Sequence, residues 1–255
     1  CSPTDPLELV AIALTVVAGL AMGAINNVAG GAGVLGLLAF EYGFGMPLGT
    51  ANPSTRLAAV AIGAFACLGF IRAGRKIPKA AIGQALLALP GALLGAYLAL
   101  DLPDLVFRSY LALVMVLLLL QQLRGKEPNP NPSALWLRGL GCFVIGLHMG
   151  YVQVGTGLVA TLVLAKAYDR DLLAVNAAKC IVVLITASAS ATTLAIAGAV
   201  SWTPAIALAV GAGAGSYWAS HWSVRQGQHV VRRIVVIIAA VTLLEQLRQI
   251  ALLLA

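Results

Sequence analysis

The chain of 255 residues is 60% hydrophobic and only 10% charged, with 16 Lys+Arg against 9 Asp+Glu for a formal charge of +7. Soluble domains carry about 25% charged residues, so this composition excludes a water-soluble globular enzyme, a disordered tail and a disulfide-stapled secreted module. In so apolar a chain the positive charge fits basic cytoplasmic loops better than a nucleic-acid partner.

The first half divides into hydrophobic blocks near 7–41, 47–71, 77–100 and 103–123. Leu9 to Phe40 is free of Asp, Glu, Lys and Arg, as are Ala80 to Leu100 and, in the second half, Cys180 to Val224. A bilayer crossing takes about 20 apolar residues, so these runs read as membrane spans, the last of them as two. The first block is too long for one crossing and is interrupted by Asn26-Asn27-Val28-Ala29-Gly30-Gly31-Ala32-Gly33. Broken there, it predicts a helix of about 18 residues followed by one of about 12. In the second block, Asn52-Pro53-Ser54-Thr55-Arg56 reads as an N-cap Asn, Pro at the first helical position, then hydroxyls and a guanidinium in the first turn.

The chain is duplicated. Gly19-Leu20-Ala21-Met22-Gly23 recurs as Gly146-Leu147-His148-Met149-Gly150, and further on an offset of 124 aligns Asn52 with Asn176, Gly91 with Gly215 and Arg108 with Arg232. The polar, Pro/Asn-rich segment 125–134 reads as a cytoplasmic linker between a first transmembrane repeat, 1–124, and a second, 135–255. Four crossings per half divide the loop cations almost evenly between the two sides. Five per half place twelve inside and leave only Arg108 and Arg248 outside, a strong positive-inside asymmetry. An odd number of crossings makes the halves inverted. The fold class expected is therefore an all-α polytopic membrane protein of two inverted repeats. Each repeat has about four long helices plus a short broken helix, giving eight hydrophobic blocks and about ten crossings, with both termini periplasmic. Trp136, Trp202, Trp218 and Trp222 stand near span ends as interfacial anchors.

Two cations remain inside spans, Arg56 and Lys179. A cation in lipid is costly and points to function; snorkelling to the interface is the plain alternative. A helix starting at Asn52 inside the membrane would aim free N–H groups and its positive end into the protein, and the guanidinium fork suits a carboxylate, sulfonate or phosphate. Asn176-Ala177-Ala178-Lys179 repeats a reduced version. The breaks at Gly30, Gly31 and Gly33 and at Gly155, Thr156 and Gly157 let backbone amides approach an anion, or else serve close helix packing. Asn26, Asn27, Thr55 and Gln153 add neutral polar groups. Together these residues predict a site for a small anion between the two halves. His148 is a candidate proton carrier, or else a histidine satisfied locally. Cys67, Cys142 and Cys180 lie in apolar runs and read as packing residues; Cys180 directly follows Lys179, which leaves sulfur chemistry as the alternative. Cys1 stands first without a Met and reads as a processed or truncated end. No carboxylate pair, nucleophilic triad, phosphate loop or metal-ligand spacing is present, so no catalytic residue, metal or cofactor is expected and the chain does not read as an enzyme.

Gly23 to Gly33, with Ala51-Asn52-Pro53-Ser54-Thr55, resembles the first-repeat signature of the TauE/SafE sulfite/sulfonate exporter family. Gly150-Tyr151-Val152-Gln153-Val154-Gly155-Thr156-Gly157 with Asn176-Ala177-Ala178-Lys179 is similar to its second-repeat signature. The resemblance covers nearly the whole chain. Departures are Ala32 within the glycine run, the missing Pro soon after it, and Thr156 within the second run. The resemblance implies a secondary transporter of small sulfur-containing oxyanions in the bacterial inner membrane, exporting them by alternating access. Its partners would be the anion and the lipid bilayer, without nucleic acid. A proton-coupled importer of a related sulfur compound or carboxylate, and a membrane scaffold or sensor that transports nothing, are the competing readings.

Overall fold

The computed structural model describes residues 6–29, 32–101, 103–124, 135–165, 167–168 and 171–223, with 240, 243–244, 247–248 and 250–251 near the C-terminus. The helices are α1 (Pro6–Ala29), α2 (Val34–Phe44), α3 (Leu48–Ser54), α4 (Arg56–Arg72), α5 (Ala80–Leu98), α6 (Asp104–Arg124), α7 (Leu135–Tyr151), α8 (Thr156–Ala165), α9 (Leu172–Ile196) and α10 (Trp202–Ser223). Among the described residues there is no strand, as an all-helical membrane protein requires.

The helix count corrects the expectation of eight blocks and about ten crossings. With α3 and α4 taken as one run, Leu48–Arg72, the helices named above form nine units. Four have the length and hydropathy of a full crossing: Pro6–Asn26, Leu48–Arg72, Ala80–Leu98 and Leu173–Ile196. The breaks account for part of the difference. At 11 and 10 residues, α2 and α8 extend only about 16 Å, half the hydrocarbon thickness. α1 also runs on through Asn26 and Asn27 to Ala29, giving 24 residues rather than the shorter helix expected. Linker 125–134 and loop cations Lys126, Lys166, Arg170, Arg225, Arg232 and Arg233 lie outside the described residues. Trp136, Trp202, Trp218 and Trp222 are all exposed.

Helix starts are corrected too. Pro47 precedes α3, so Asn52 and Pro53 lie within that helix and the chain restarts as α4 after Thr55. In the second half Asp171 is the cap, its carboxylate accepting from the amides of Leu173 and Ala174 at 3.0 and 3.2 Å. A carboxylate at that position is worth about 1 kcal/mol to a helix, and it moves the start of α9 upstream of Asn176.

The two halves interlock. α1 packs on α10 and α7 on α5; α4 packs on α10 and α9 on α5; α4 and α9 pack on each other. Each member of the first two pairs presents glycines four residues apart: Gly19 and Gly23 face Gly211 and Gly215, and Gly91 and Gly95 face Gly146 and Gly150. A methyl group on any of these eight would run into the facing helix's backbone. Lipid supplies no hydrophobic drive between helices, so close van der Waals approach between small residues holds them together. The breaks meet in this interlocked interior. Gly33 abuts Val154, 3.2 Å from its Cα by the same measure, and Ala32, Val34, Val152 and Val154 share one buried cluster.

Candidate functional site

The α7–α8 break is a tight turn. Gln153 and Gly155 have φ of 68° and 85°, and Thr156 donates through both its amide and its hydroxyl to the Gln153 carbonyl. A left-handed backbone is ordinary for glycine but uncommon for glutamine, so the surroundings hold Gln153 there. α7 ends at Tyr151, leaving its last carbonyls without helical partners.

Arg56 lies against those carbonyls, at 0% exposure. Its Nη2 donates to the carbonyls of Gly150 and Tyr151 at 3.0 and 3.1 Å. Nη1 donates to Gln153 Oε1 at 2.9 Å, Asn52 Oδ1 at 3.1 Å, and the Asn52 carbonyl and Thr55 Oγ1 at 3.2 Å. Nε donates to Ser190 Oγ on α9 at 3.2 Å. Asn52 Nδ2 also donates to the Tyr151 carbonyl, and Thr55 Oγ1 to Gln153 Oε1, both at 3.0 Å. All three guanidinium nitrogens are thus engaged by neutral oxygens of the protein. The fork that the sequence suited to an oxyanion binds a helix C-terminus from the other half, where a positive charge is favoured.

Lys179, 4% exposed, lines a different space. Asn26 of α1, Ile62, Gly63 and Ala66 of α4, Gly157 of α8, and Lys179, Cys180 and Val183 of α9 enclose a cavity of about 10 Å³, room for about one water molecule. Ser190, the α9 contact of Arg56, lies eleven residues beyond Lys179, about 16 Å along the helix.

The predicted site therefore falls into two clusters. Arg56, Asn52, Thr55 and Gln153 assemble around the end of α7, with Gly155 and Thr156 shaping that turn. Lys179, Asn26 and Gly157 share the cavity. Gly33 joins neither and instead seats one break on the other. Asn176 is half-buried a turn before Lys179 and is not in the cavity lining. Gly30, Gly31 and the Asn27 side chain lie outside the described residues.

His148 is held at both nitrogens, Nδ1 against the Tyr110 hydroxyl at 2.6 Å and Nε2 against the Val154 carbonyl at 2.8 Å. A carbonyl only accepts, so Nε2 carries the proton and neutral Nδ1 accepts from Tyr110. Both residues line a pocket of about 370 Å³ with Asp101, Pro103 and Tyr151 near the α5–α6 turn. The residues missed by the sequence are Ser190, Tyr110 and the carbonyls of Gly150 and Tyr151. Only the carbonyls had a signal: a predicted helix end always frees some.

Broken helices that meet in the interior of an apolar helical protein, beside buried cations, are an architecture of membrane transporters. Residues 15–245 match the family described as Sulfite exporter TauE/SafE, and the chain belongs to that family. No curated protein matches it, and no solved structure does.

Proposed function

We propose that the protein is a secondary transporter moving small sulfur-containing oxyanions, sulfite or an organosulfonate, outward across the bacterial inner membrane. Lys179 is the charge that meets the substrate. The observation that carries this reading is the cavity lining, which brings the Lys179 ammonium together with Asn26, Gly157 and the Cys180 thiol. Such a surface favours an anion. Its walls come from both halves of the chain, and its volume of about 10 Å³ is below that of a four-atom oxyanion. Loading then requires α4 and α9 to part, as in alternating access between two inverted repeats, 1–124 and 135–255. The paired packing of α1 on α10 and α7 on α5 supports that internal symmetry. Arg56 adds positive potential from a low-dielectric site while its N–H groups hold the first repeat to the end of α7. An inside-negative potential drives anions outward by about 2.3 kcal/mol per charge per 100 mV, so export needs no coupling ion.

Reconstituted into liposomes, the protein is expected to carry sulfite at a rate that rises with an imposed potential and falls at least tenfold in Lys179→Gln. Flux no faster than in protein-free vesicles, for sulfite and for a panel of sulfonates, overturns the reading. Flux that stops when the pH gradient alone is collapsed identifies the proton-coupled importer instead.

A further inference from the structure

Cys67 of α4 and Cys180 of α9 are buried free thiols whose Sγ atoms lie 2.8 Å apart. The two helices run antiparallel, since Arg56 contacts Ser190 and Gly63 faces Leu184 one turn from the thiol pair. At Gly63 a Cβ would lie only 2.8 Å from the Leu184 Cα, so the backbones are already close where the thiols meet. A disulfide has sulfurs about 2.05 Å apart, less than about 1 Å from the present separation. Cys180 also lines the Lys179 cavity, so parting α4 from α9 to load that cavity would expose the pair to a small reagent. Plain packing needs two small apolar side chains here and does not call for sulfur on both helices.

We propose that Cys67 and Cys180 are a redox-sensitive site: oxidation by a peroxide joins them in a disulfide that ties α4 to α9 and holds the Lys179 cavity shut. One sulfur, as thiolate, attacks a peroxide oxygen. The O–O bond breaks, leaving a sulfenic acid and a hydroxide that takes up the thiol proton as water. The second thiol attacks the sulfenic sulfur, forming the S–S bond, and its proton leaves with the hydroxyl as a second water. Two thiols and one hydrogen peroxide thus give one disulfide and two waters, the thiols losing the two electrons that peroxide gains. A dithiol reductant reverses the link by exchange. The cross-link itself is independent of the transport reading; its effect on flux rests on that reading.

The test uses the full chain with Cys1→Ser and Cys142→Ala and a protease site inserted in segment 125–134. After hydrogen peroxide and cleavage, the halves are expected to migrate together on a non-reducing gel and separately after dithiothreitol, with an intact mass lower by two hydrogens before reduction. Adding Cys67→Ser should abolish the link. In liposomes, peroxide should lower sulfite flux at least tenfold and dithiothreitol should restore it, while the Cys67→Ser chain keeps its flux throughout. Halves that separate after peroxide overturn the proposal, and so does a link that leaves flux unchanged. A chain without sulfite flux before oxidation refutes the transport reading instead, and the gel still decides whether the pair links.

Discussion

Polar contacts across the α4–α9 interface include Arg56 with Ser190 and Cys67 with Cys180. The offset that aligns Asn52 with Asn176 also aligns Arg56 with Cys180, and it carries Cys67 to Ala191, next to Ser190. Positions matched by that offset thus carry opposite chemistry. At one, a guanidinium spends its donors on the α7–α8 break and leaves no room. At the other, a thiol occupies the corresponding position, the cation has moved one residue back to Lys179, and a small cavity remains beside Asn26 of the α1 end. The contrast separates two uses of a buried charge. Arg, with five donors in a fixed fork, suits a polar joint; Lys, a compact charge on a flexible stem, suits a site that must bind and release.

That division of labour is most sharply tested at Arg56. Arg56→Gln strands the carbonyl of Gly150, at about 1–3 kcal/mol for a buried acceptor without a donor, and leaves that of Tyr151 with Asn52 alone. The expected result is loss of monodisperse protein on size exclusion or a large drop in melting temperature. Arg56→Lys, which keeps the charge but has three donors, should fall between. A variant that melts like the parent and only loses anion affinity would break the comparison and return Arg56 to the substrate. Gly146→Val, which drives a side chain into the Ala88 backbone, should cost about 1–3 kcal/mol from overpacking; Gly139→Val, with open space around it, is the control in the same thermal assay. Ser190→Ala removes only the acceptor of Nε and should cost about 0.5–1.5 kcal/mol. Lys179→Gln should move the melting temperature least, because it removes the desolvation cost of a buried cation and leaves an amide to meet the polar contacts of the ammonium. A destabilisation by Lys179→Gln as large as that of Arg56→Gln would make both crossings structural joints.

Much of this was legible in the sequence. Arg56 and Lys179 stood out because charge is costly in an apolar run, and both are buried. The glycine breaks likewise marked where helices stop, and both do so there. Helix starts were less legible. Pro53 falls late in a seven-residue helix, where its ring disturbs only the carbonyl of exposed Gly49, so a proline that suggested a beginning was tolerated near an end. Reading Asn176 by analogy with Asn52 overlooked Asp171, whose carboxylate is the stronger cap. The convergence of Arg56 and Lys179 on one anion could not be judged from composition, because the chief partners of Arg56 are main-chain carbonyls 94 and 95 residues away. A carbonyl has no letter in a sequence. The roles of Gly19, Gly23, Gly146 and Gly150 were hidden for a related reason: their recurrence revealed the duplication, but only the facing backbone explains why nothing larger fits.

The glycine crossings also set an order of assembly. Gly91 and Gly146 are separated by 55 residues, whereas Gly19 and Gly211 are separated by 192. At about 5–20 residues per second, α5 gains α7 within seconds of its own synthesis, while α1 stands in the bilayer for roughly 10–40 s before α10 arrives. The nascent protein therefore closes from its middle outward. A ribosome that stalls before Trp202 leaves α1 in the bilayer with its glycine face uncovered, open to a neighbouring helix or to the quality-control machinery.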